Sequence, residues 1–335
     1  MSSTPIVSVW IITYNQEPYI RQALDSALAQ KTDFTYEIVI GEDYSTDNTR
    51  QILLEYKNKY PETITLLLHD QNIGMINNQN ETFNACRGSY IALLEGDDYW
   101  NDVNKLQKQY DAMQAHAQCQ LSFHPVYTTK HETLNDYGDT IKVIPVEEGI
   151  KVGGYYISTP SIMIKKNILS EMPSFLNSAP AGDYYLQIFG SIAGGALYIP
   201  KVMATYRLEA HGSWSQSIYD DNIKIKFIEE TLALIMKLDN YLEYKYTKAF
   251  QYKYMTATMT LTTTYLHNSR NLDFKDTLIK ASNYISEPSI SFQIKYHLRN
   301  FPSVALFISR VFTKIKRVRQ EFFQNRTSKQ PTDKL

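Results

Sequence analysis

The segment Tyr90-Ile-Ala-Leu-Leu-Glu-Gly-Asp-Asp-Tyr-Trp100 runs from apolar residues straight into three carboxylates, Glu95, Asp97 and Asp98, and then into two aromatics. Its apolar half reads as a buried strand, Tyr90 to Leu94, bounded by Gly88 and Gly96. Carboxylates gathered at the end of a buried strand repel one another and lose hydration, so they are best tolerated where a cation or a donor group neutralises them. Glu95 and Asp97 flank one glycine and can bend toward a common point. Hard divalent cations such as Mg²⁺ or Mn²⁺ prefer oxygen ligands of this kind and usually share them with a phosphate. The competing reading is a solvated Asp-Gly turn.

The elements that must carry this turn alternate. Ile6 to Ile12 reads as a central strand, β-branched and apolar on both faces. Pro18 suits the first turn of a helix with the stripe Ile20, Ala23, Leu24, Ala27 and Leu28. A strand over Tyr36 to Ile40 precedes a helix capped by Asp47 or Asn48, with Ile52, Leu53 and Tyr56 inward. Thr63 to Leu68 is a third strand and Asn78 to Cys86 a third helix. This order predicts a doubly wound α/β sheet, Rossmann-like and mostly parallel. No G-x-G-x-x-G follows the first strand, which argues against a nicotinamide site. Further on, helices are expected over 104–117 and 183–192, and strands over 120–123, 161–164 and 194–199. After about Ser217 the pattern is mainly helical. The expected division is a nucleotide- and acceptor-binding domain over 1–216 and a helical region over 217–335.

Ligands of doubly wound sheets bind outside the carboxyl ends of the strands. Those ends are polar here: Thr13-Tyr-Asn-Gln-Glu17, Gly41-Glu-Asp-Tyr-Ser-Thr-Asp47, Asp70-Gln-Asn-Ile-Gly74 and Glu95-Gly-Asp-Asp98. Acid-rich ends along one edge point to a bound polar ligand.

Three segments in order, Ser8–Asn15, Glu37–Thr49 and Arg87–Trp100, resemble the opening strand, the second-strand segment and the D-x-D segment of family 2 glycosyltransferases of the GT-A fold. The resemblance covers roughly residues 6 to 215. It implies that Asp43, with Glu42 beside it, contacts the base and ribose of a nucleotide-sugar, and that Thr13 and Tyr14 line the same pocket. Glu95 and Asp97 stand at the two acidic positions of the D-x-D motif, Asp97 being the better ligand for Mn²⁺ or Mg²⁺. Glu95 replaces the usual first Asp, and Tyr44 replaces a common Gly. Pro180–Leu186 resembles the segment holding the family's general base, which implies that role for Asp183; an N-cap of the following helix is the alternative. Ala204–Ser215 resembles the Tyr-Arg…His segment, which implies that His211 is a third metal ligand or a diphosphate contact. The implied activity is inverting transfer of one sugar to an acceptor hydroxyl on a saccharide, a polyol-phosphate or a lipid-linked glycan, in surface polysaccharide or cell-wall glycopolymer synthesis. The Q-x-x-R-W motif of processive relatives is absent. The rival classes are a nucleotidyltransferase, which normally needs a basic glycine-rich loop that Thr13–Tyr19 lacks, and an inactive nucleotide-sugar-binding module.

The bulk composition narrows the partners. Lys+Arg at 34 against Asp+Glu at 35 gives no electrostatic case for nucleic acid. The cysteines, Cys86 and Cys119, fit buried packing in a reducing compartment. The start lacks the pattern of a signal peptide, and no stretch reaches the ~18–20 apolar residues of a membrane span. The expected location is therefore cytoplasmic, with a possible place at the inner face of the plasma membrane. That place would be reached through 303–323, where Val304, Ile308, Val311, Phe312, Ile315, Val318 and Phe322 follow helical spacing amid Arg310, Lys314, Lys316, Arg317 and Arg319. The alternative for this helix is packing on its own domain or on a second subunit, as in a homo-oligomer joined through the C-terminal helices.

Overall fold

The computed structural model describes residues 4–314, except 155, 181, 209, 211–212 and 312–313. His211, Phe312, Ile315, Lys316, Arg317, Val318, Arg319 and Phe322 lie outside the described residues. The chain divides into two compact units, Met1–Ile223 and Lys224–Leu335.

The first unit is built on an eight-stranded sheet ordered β3-β2-β1-β4-β10-β6-β11-β9. Its first four strands, β1 (Val7–Thr13), β2 (Tyr36–Glu42), β3 (Ile64–Leu68) and β4 (Tyr90–Glu95), are parallel. Every residue of β1 is buried, as its unbroken β-branched and apolar run requires of a strand covered on both faces. Helix α1 (Ile20–Leu28) buries Ile20, Ala23, Leu24 and Ala27, and α2 (Thr49–Lys59) buries Ile52 and Leu53. Helix α3 (Met75–Ala85) packs its Phe83 ring on Trp10 of β1, with centroids 4.7 Å apart. Its approach to β2 is so close that a Cβ on Gly41 would lie 2.1 Å from Thr82 Oγ1.

Several boundaries differ from the sequence reading. β2 continues through Gly41 and Glu42, because Glu42 pairs with both Thr13 of β1 and Leu68 of β3. Pro18 lies in the turn before α1 rather than in its first turn. The N-cap of α2 is Asn48, which makes no side-chain cap bond, while Asp47, one residue outside, accepts the Thr49 amide through Oδ1 at 2.9 Å.

Beyond β4 the sheet becomes mixed. β10 (Met163–Lys165) pairs antiparallel with β4 and with β6 (Leu121–Phe123). β11 (Ala196–Tyr198) lies parallel to β6, and β9 (Lys142–Ile144) closes the edge. A second, four-stranded sheet runs β5 (Tyr99–Trp100), β12 (Ala204–Tyr206), β7 (Val126–Thr128) and β8 (Thr133–Leu134). Helix α4 (Lys105–Ala115), the short α5 (Val146–Val152) and α6 (Ile168–Glu171), and the buried α7 (Gly182–Ile192) pack in this half, and the one-turn α8 (Trp214–Ser217) follows.

The second unit begins within α9 (Asp221–Tyr241) and continues through α10 (Thr247–His267), α11 (Asn271–Tyr284), α12 (Ile290–His297) and a helical stretch over 302–311. Phe250, Leu261, Phe274, Leu278 and Phe292 form its core. Two of its buried polar groups are answered inside it. Asp239 accepts hydrogen bonds from Thr247 Oγ1 at 2.9 Å and from the Tyr284 hydroxyl at 2.7 Å, and Lys295 Nζ donates to Thr263 Oγ1 at 2.6 Å. Among the described residues, no helix is long and apolar enough to cross a membrane.

Candidate active site

Parallel strands β1, β2 and β4 end side by side, and their polar ends converge. Ile12 of β1 pairs with Glu95 of β4, and the Gly96 amide donates to the Ile12 carbonyl at 3.1 Å. The chain then turns, the Asp98 amide donating to the Glu95 carbonyl at 3.0 Å. The turn leaves no room above Gly96: a Cβ there would lie 2.2 Å from Gln16 Oε1 and 2.9 Å from Thr13 Oγ1. One carboxylate oxygen each from Glu95, Asp97 and Asp98 lies within 4.8 Å of the others.

The electrostatics of this trio are those of a site built for positive charge. Burial, with Asp97 and Asp183 adding repulsion, pushes the Glu95 carboxyl up to about 8, against a hydrogen bond from the Thr159 side chain. Burial also raises Asp97, while its own backbone amide, Arg207 and Gln16 oppose the shift. Asp98 is driven well above the carboxylate range by burial and by the charges of Asp97 and Glu95. Asp98 Oδ1 accepts the Arg207 amide at 2.7 Å, but Asp98 Oδ2 is buried with no hydrogen-bond partner among the described residues. Thr13 Oγ1 and Gln16 Oε1, which face the same turn, are buried and unpaired as well. Unpaired buried oxygens cost about 1–3 kcal/mol each, and their concentration at one turn fits an oxygen-liganded cation.

The small sheet braces the turn from the other side. β5 leaves it directly and pairs with β12, with Thr205 opposite Tyr99 and Ala204 opposite Trp100. β12 thereby delivers Arg207, whose Nε donates to the Asp97 carbonyl at 2.6 Å and whose guanidinium stacks over Tyr19 and Tyr99. Trp100 Nε1 donates to the Pro160 carbonyl at 3.0 Å and Gln109 Nε2 to the Ser161 carbonyl at 2.9 Å. These bonds fix the short turn that presents Thr159 to Glu95.

Asp183 stands in the first turn of α7, not at an N-cap position. Burial lifts its carboxyl to about 6, opposed by the backbone amides of Tyr184 and of Asp183 itself. Its charge is close enough to add to the shift of Glu95.

The remaining candidates line the loops beside the acidic turn. Thr13 is buried and Tyr14 is 43% exposed. Asp43 is buried, its amide donates to the Thr13 carbonyl at 3.1 Å, and its Oδ1 accepts the Ile73 amide at 2.7 Å. Asn72 Nδ2 donates to the Asp43 carbonyl at 3.1 Å, so the loop after β3 is tied to the end of β2. Both Glu42 oxygens are engaged, one by the Ser45 amide at 2.5 Å and the other by Arg50 Nε. Tyr44 takes a left-handed backbone, φ 60°, and is 46% exposed beneath the Arg50 guanidinium. The loops after β1 and β2 are stitched by Asn15 Oδ1, which accepts the Thr46 amide at 2.7 Å, and by Asp47 Oδ2, which accepts the Glu17 amide at 3.0 Å.

The structure thus brings Glu95, Asp97 and Asp183 into one electrostatic neighbourhood and sets Thr13, Tyr14, Glu42 and Asp43 on the adjoining loops. Sequence reasoning gave no role to Asp98, Gln16, Thr159 or Arg207. Asp98 was visible as the third acid of the turn, and Arg207 inside the Tyr-Arg segment.

Residues 8–153 match the family model described as Glycosyl transferase family 2. Uncharacterized proteins of Mycobacterium bovis and Mycobacterium tuberculosis are 36% identical to this chain over 226 residues, 65% of the chain and 63% of those relatives. The chain therefore spans less than two thirds of their length. TuaG of Bacillus subtilis, a glycosyltransferase named for teichuronic acid biosynthesis, is 36% identical over 119 residues, 36% of this chain and 46% of TuaG. Among solved structures, residues 1–349 of TarS from S. aureus, in complex with UDP-GlcNAc, share the fold with a TM-score of 0.69 at 16% identity, over 91% of both chains.

Proposed function

We propose that the protein, whose residues 8–153 match the family model described as Glycosyl transferase family 2, moves one sugar from a nucleotide-sugar to an acceptor hydroxyl, inverting the anomeric centre. The observation that carries the reading is the trio Glu95, Asp97 and Asp98 at the end of β4, with Asp183 close enough to perturb it. The catalytic domain is 1–216 and the helical region 217–335.

Asp97 and Glu95 would hold a divalent cation, Mn²⁺ or Mg²⁺, and His211 would be a third ligand or a diphosphate contact. The donor set is all hard oxygen apart from the imidazole, and the unpaired Asp98 Oδ2 fits a positive neighbour. The cation supplies charge neutralisation for the diphosphate leaving group. Asp43 and Tyr14 hold the nucleotide across the ends of β1 and β2. Thr13 closes the pocket floor. Glu42 acts at one remove: its carboxylate orders the Ser45–Arg50 loop that bounds the pocket.

Asp183 accepts the proton of the acceptor hydroxyl. The hydroxyl oxygen forms its bond to the anomeric carbon while the bond from that carbon to the diphosphate oxygen breaks. Nucleoside diphosphate leaves with the electron pair. One base and no protein nucleophile are needed, so the transfer is direct. A carboxyl lifted to about 6 is a better base than an ordinary carboxylate and is still ionised at neutral pH.

The acceptor we favour is a saccharide, polyol-phosphate or lipid-linked glycan of a cell-wall glycopolymer, a reading supported by the name of TuaG. Nucleotide-sugars are cytoplasmic metabolites, which puts the reaction in the cytoplasm. The test is release of nucleoside diphosphate from UDP-, GDP- and dTDP-sugars with and without Mn²⁺, preceded by a thermal-shift screen. A ligand at about a hundred times its dissociation constant stabilises by ~2.7 kcal/mol. No shift and no release with any donor would remove the proposal.

A further inference from the structure

The helical stretch 302–311 has two faces of different fate. Ala305 is 1% exposed, which anchors one face within the second unit. On the other face Val304, Phe307 and Val311 recur at helical spacing and are 46%, 67% and 41% exposed, and Phe301, just before the helix, is 61% exposed. A large aromatic ring held mostly in water beside two exposed valines is an apolar surface without a partner in its own unit.

The charge around this face is of one sign. Arg310 and Lys314 are both exposed. From Pro288 through Gln320 the sequence contains no Asp or Glu, while Lys295, Arg299, Arg310, Lys314, Lys316, Arg317 and Arg319 all fall within it. The whole chain is nearly neutral, with a formal net charge of −1, so this segment is a local departure rather than a general basicity.

We infer that this face docks on an anionic lipid surface, with Phe307 and its neighbours at the headgroup boundary and Arg310 and Lys314 paired with lipid phosphates. An apolar face flanked by cations matches both the acyl boundary and the phosphate layer of such a surface. A second copy of the chain is a poorer occupant. An isologous contact would set this basic segment against itself, with no acid in it to answer. A nucleic acid would use the cations and leave the Phe307 face unexplained. The inference stands apart from the transfer chemistry, since vesicle binding needs no donor.

Co-sedimentation of the full chain with phosphatidylglycerol vesicles and with phosphatidylcholine vesicles, at low and high salt, tests it. The wild-type protein is expected on the anionic vesicles alone and to leave them as salt rises. Two variants separate the contributions: V304S/F307S/V311S removes the apolar face and R310E/K314E reverses the charge. These side chains are exposed, and circular dichroism checks that each variant remains folded. Each variant should lower vesicle affinity by roughly tenfold or more. No binding to anionic vesicles overturns the inference. Undiminished binding of the apolar variant also overturns it, because the contact would then be to polyanions in general. A concentration-dependent dimer that the apolar variant abolishes would give the face to a second copy instead.

Discussion

Arg207 holds Asp98 by its backbone amide and the Asp97 carbonyl by its guanidinium, at 2.7 Å and 2.6 Å, so one residue just beyond β12 grips two consecutive residues of the acidic turn. The Arg207 amide satisfies only one Asp98 oxygen, and the other is left buried and open. The acidic turn is held in place, but its hydrogen-bonding capacity is not filled.

That combination makes stability depend on pH and on divalent cations together. Glu95 titrates near 8 in the folded chain against an ordinary value of 4.5, and Asp97 and Asp98 are raised as well. The folded state therefore keeps protons that the unfolded chain has released. Its stability from these groups is full below the ordinary carboxylate value and is lost as pH rises toward about 8. A bound cation replaces those protons. The rise in Tm on adding Mn²⁺ should be larger at pH 8 than at pH 5, as scanning calorimetry in buffers with Mn²⁺ or with chelator can read. Equal shifts at the two pH values would mean that the cation binds elsewhere.

Asp97→Ala and Asp183→Ala should both abolish transfer by different routes. The first removes a cation ligand and should lose metal-dependent nucleotide binding. The second should keep that binding and lose turnover by about 10²–10⁴-fold, the usual worth of a general base. In the wild-type protein kcat/KM should fall on the acid side with an apparent pKa near 6, because Asp183 must be ionised to accept the proton. Near-normal turnover of Asp183→Ala would leave it only a structural place in the first turn of α7.

Asp43→Ala should weaken free nucleoside diphosphate and nucleotide-sugar alike, since the contacts we propose for it are to base and ribose. It should also loosen the loop after β3, because the charge-assisted bond from the Ile73 amide, worth about 1.5–3 kcal/mol, disappears with it. Calorimetric affinities equal to the parent's would move the nucleotide elsewhere.

Gly96→Ala offers a test that touches no titratable group. The added methyl would meet Gln16 Oε1 and Thr13 Oγ1 inside normal contact. Relief requires the Gln16 amide to swing out of the turn and the Thr13 side chain to give slightly, at about 1 kcal/mol or more. Cation-dependent nucleotide binding should fall with little change in the secondary structure read by circular dichroism.

The first four strands and their helices were legible in the sequence because each strand is a short, largely apolar run and the first two helices carry clear stripes. β1 and β4 carry their chemistry at their own ends, so Thr13, Glu95 and Asp97 could be found by position. The second half was not legible in the same way. β5, β7, β8 and β9 are two or three residues long, too short to show a period of two. Asp98 was visible as an acid, but that one of its oxygens is open depends on Arg207, 109 residues away. Glu42 looked like a pocket-facing acid beside Asp43. Arg50, the second residue of α2, takes one of its oxygens, a pairing that strand periodicity does not encode.

The long reach from Asp98 to Arg207 also has a consequence during synthesis. Strands β1 to β4, with helices α1 and α2 between them, contain most of the apolar core and can leave the ribosome long before β10 and β12 exist. Until β10 arrives, β4 is an uncovered edge whose residues Ile91 to Leu94 are all apolar, a template for pairing with a neighbouring chain. Until β12 arrives, the acids that follow that edge lack the Arg207 clamp. A nascent chain of this protein therefore carries an acidic turn next to an uncovered strand, and charge beside such a strand opposes its pairing with like chains.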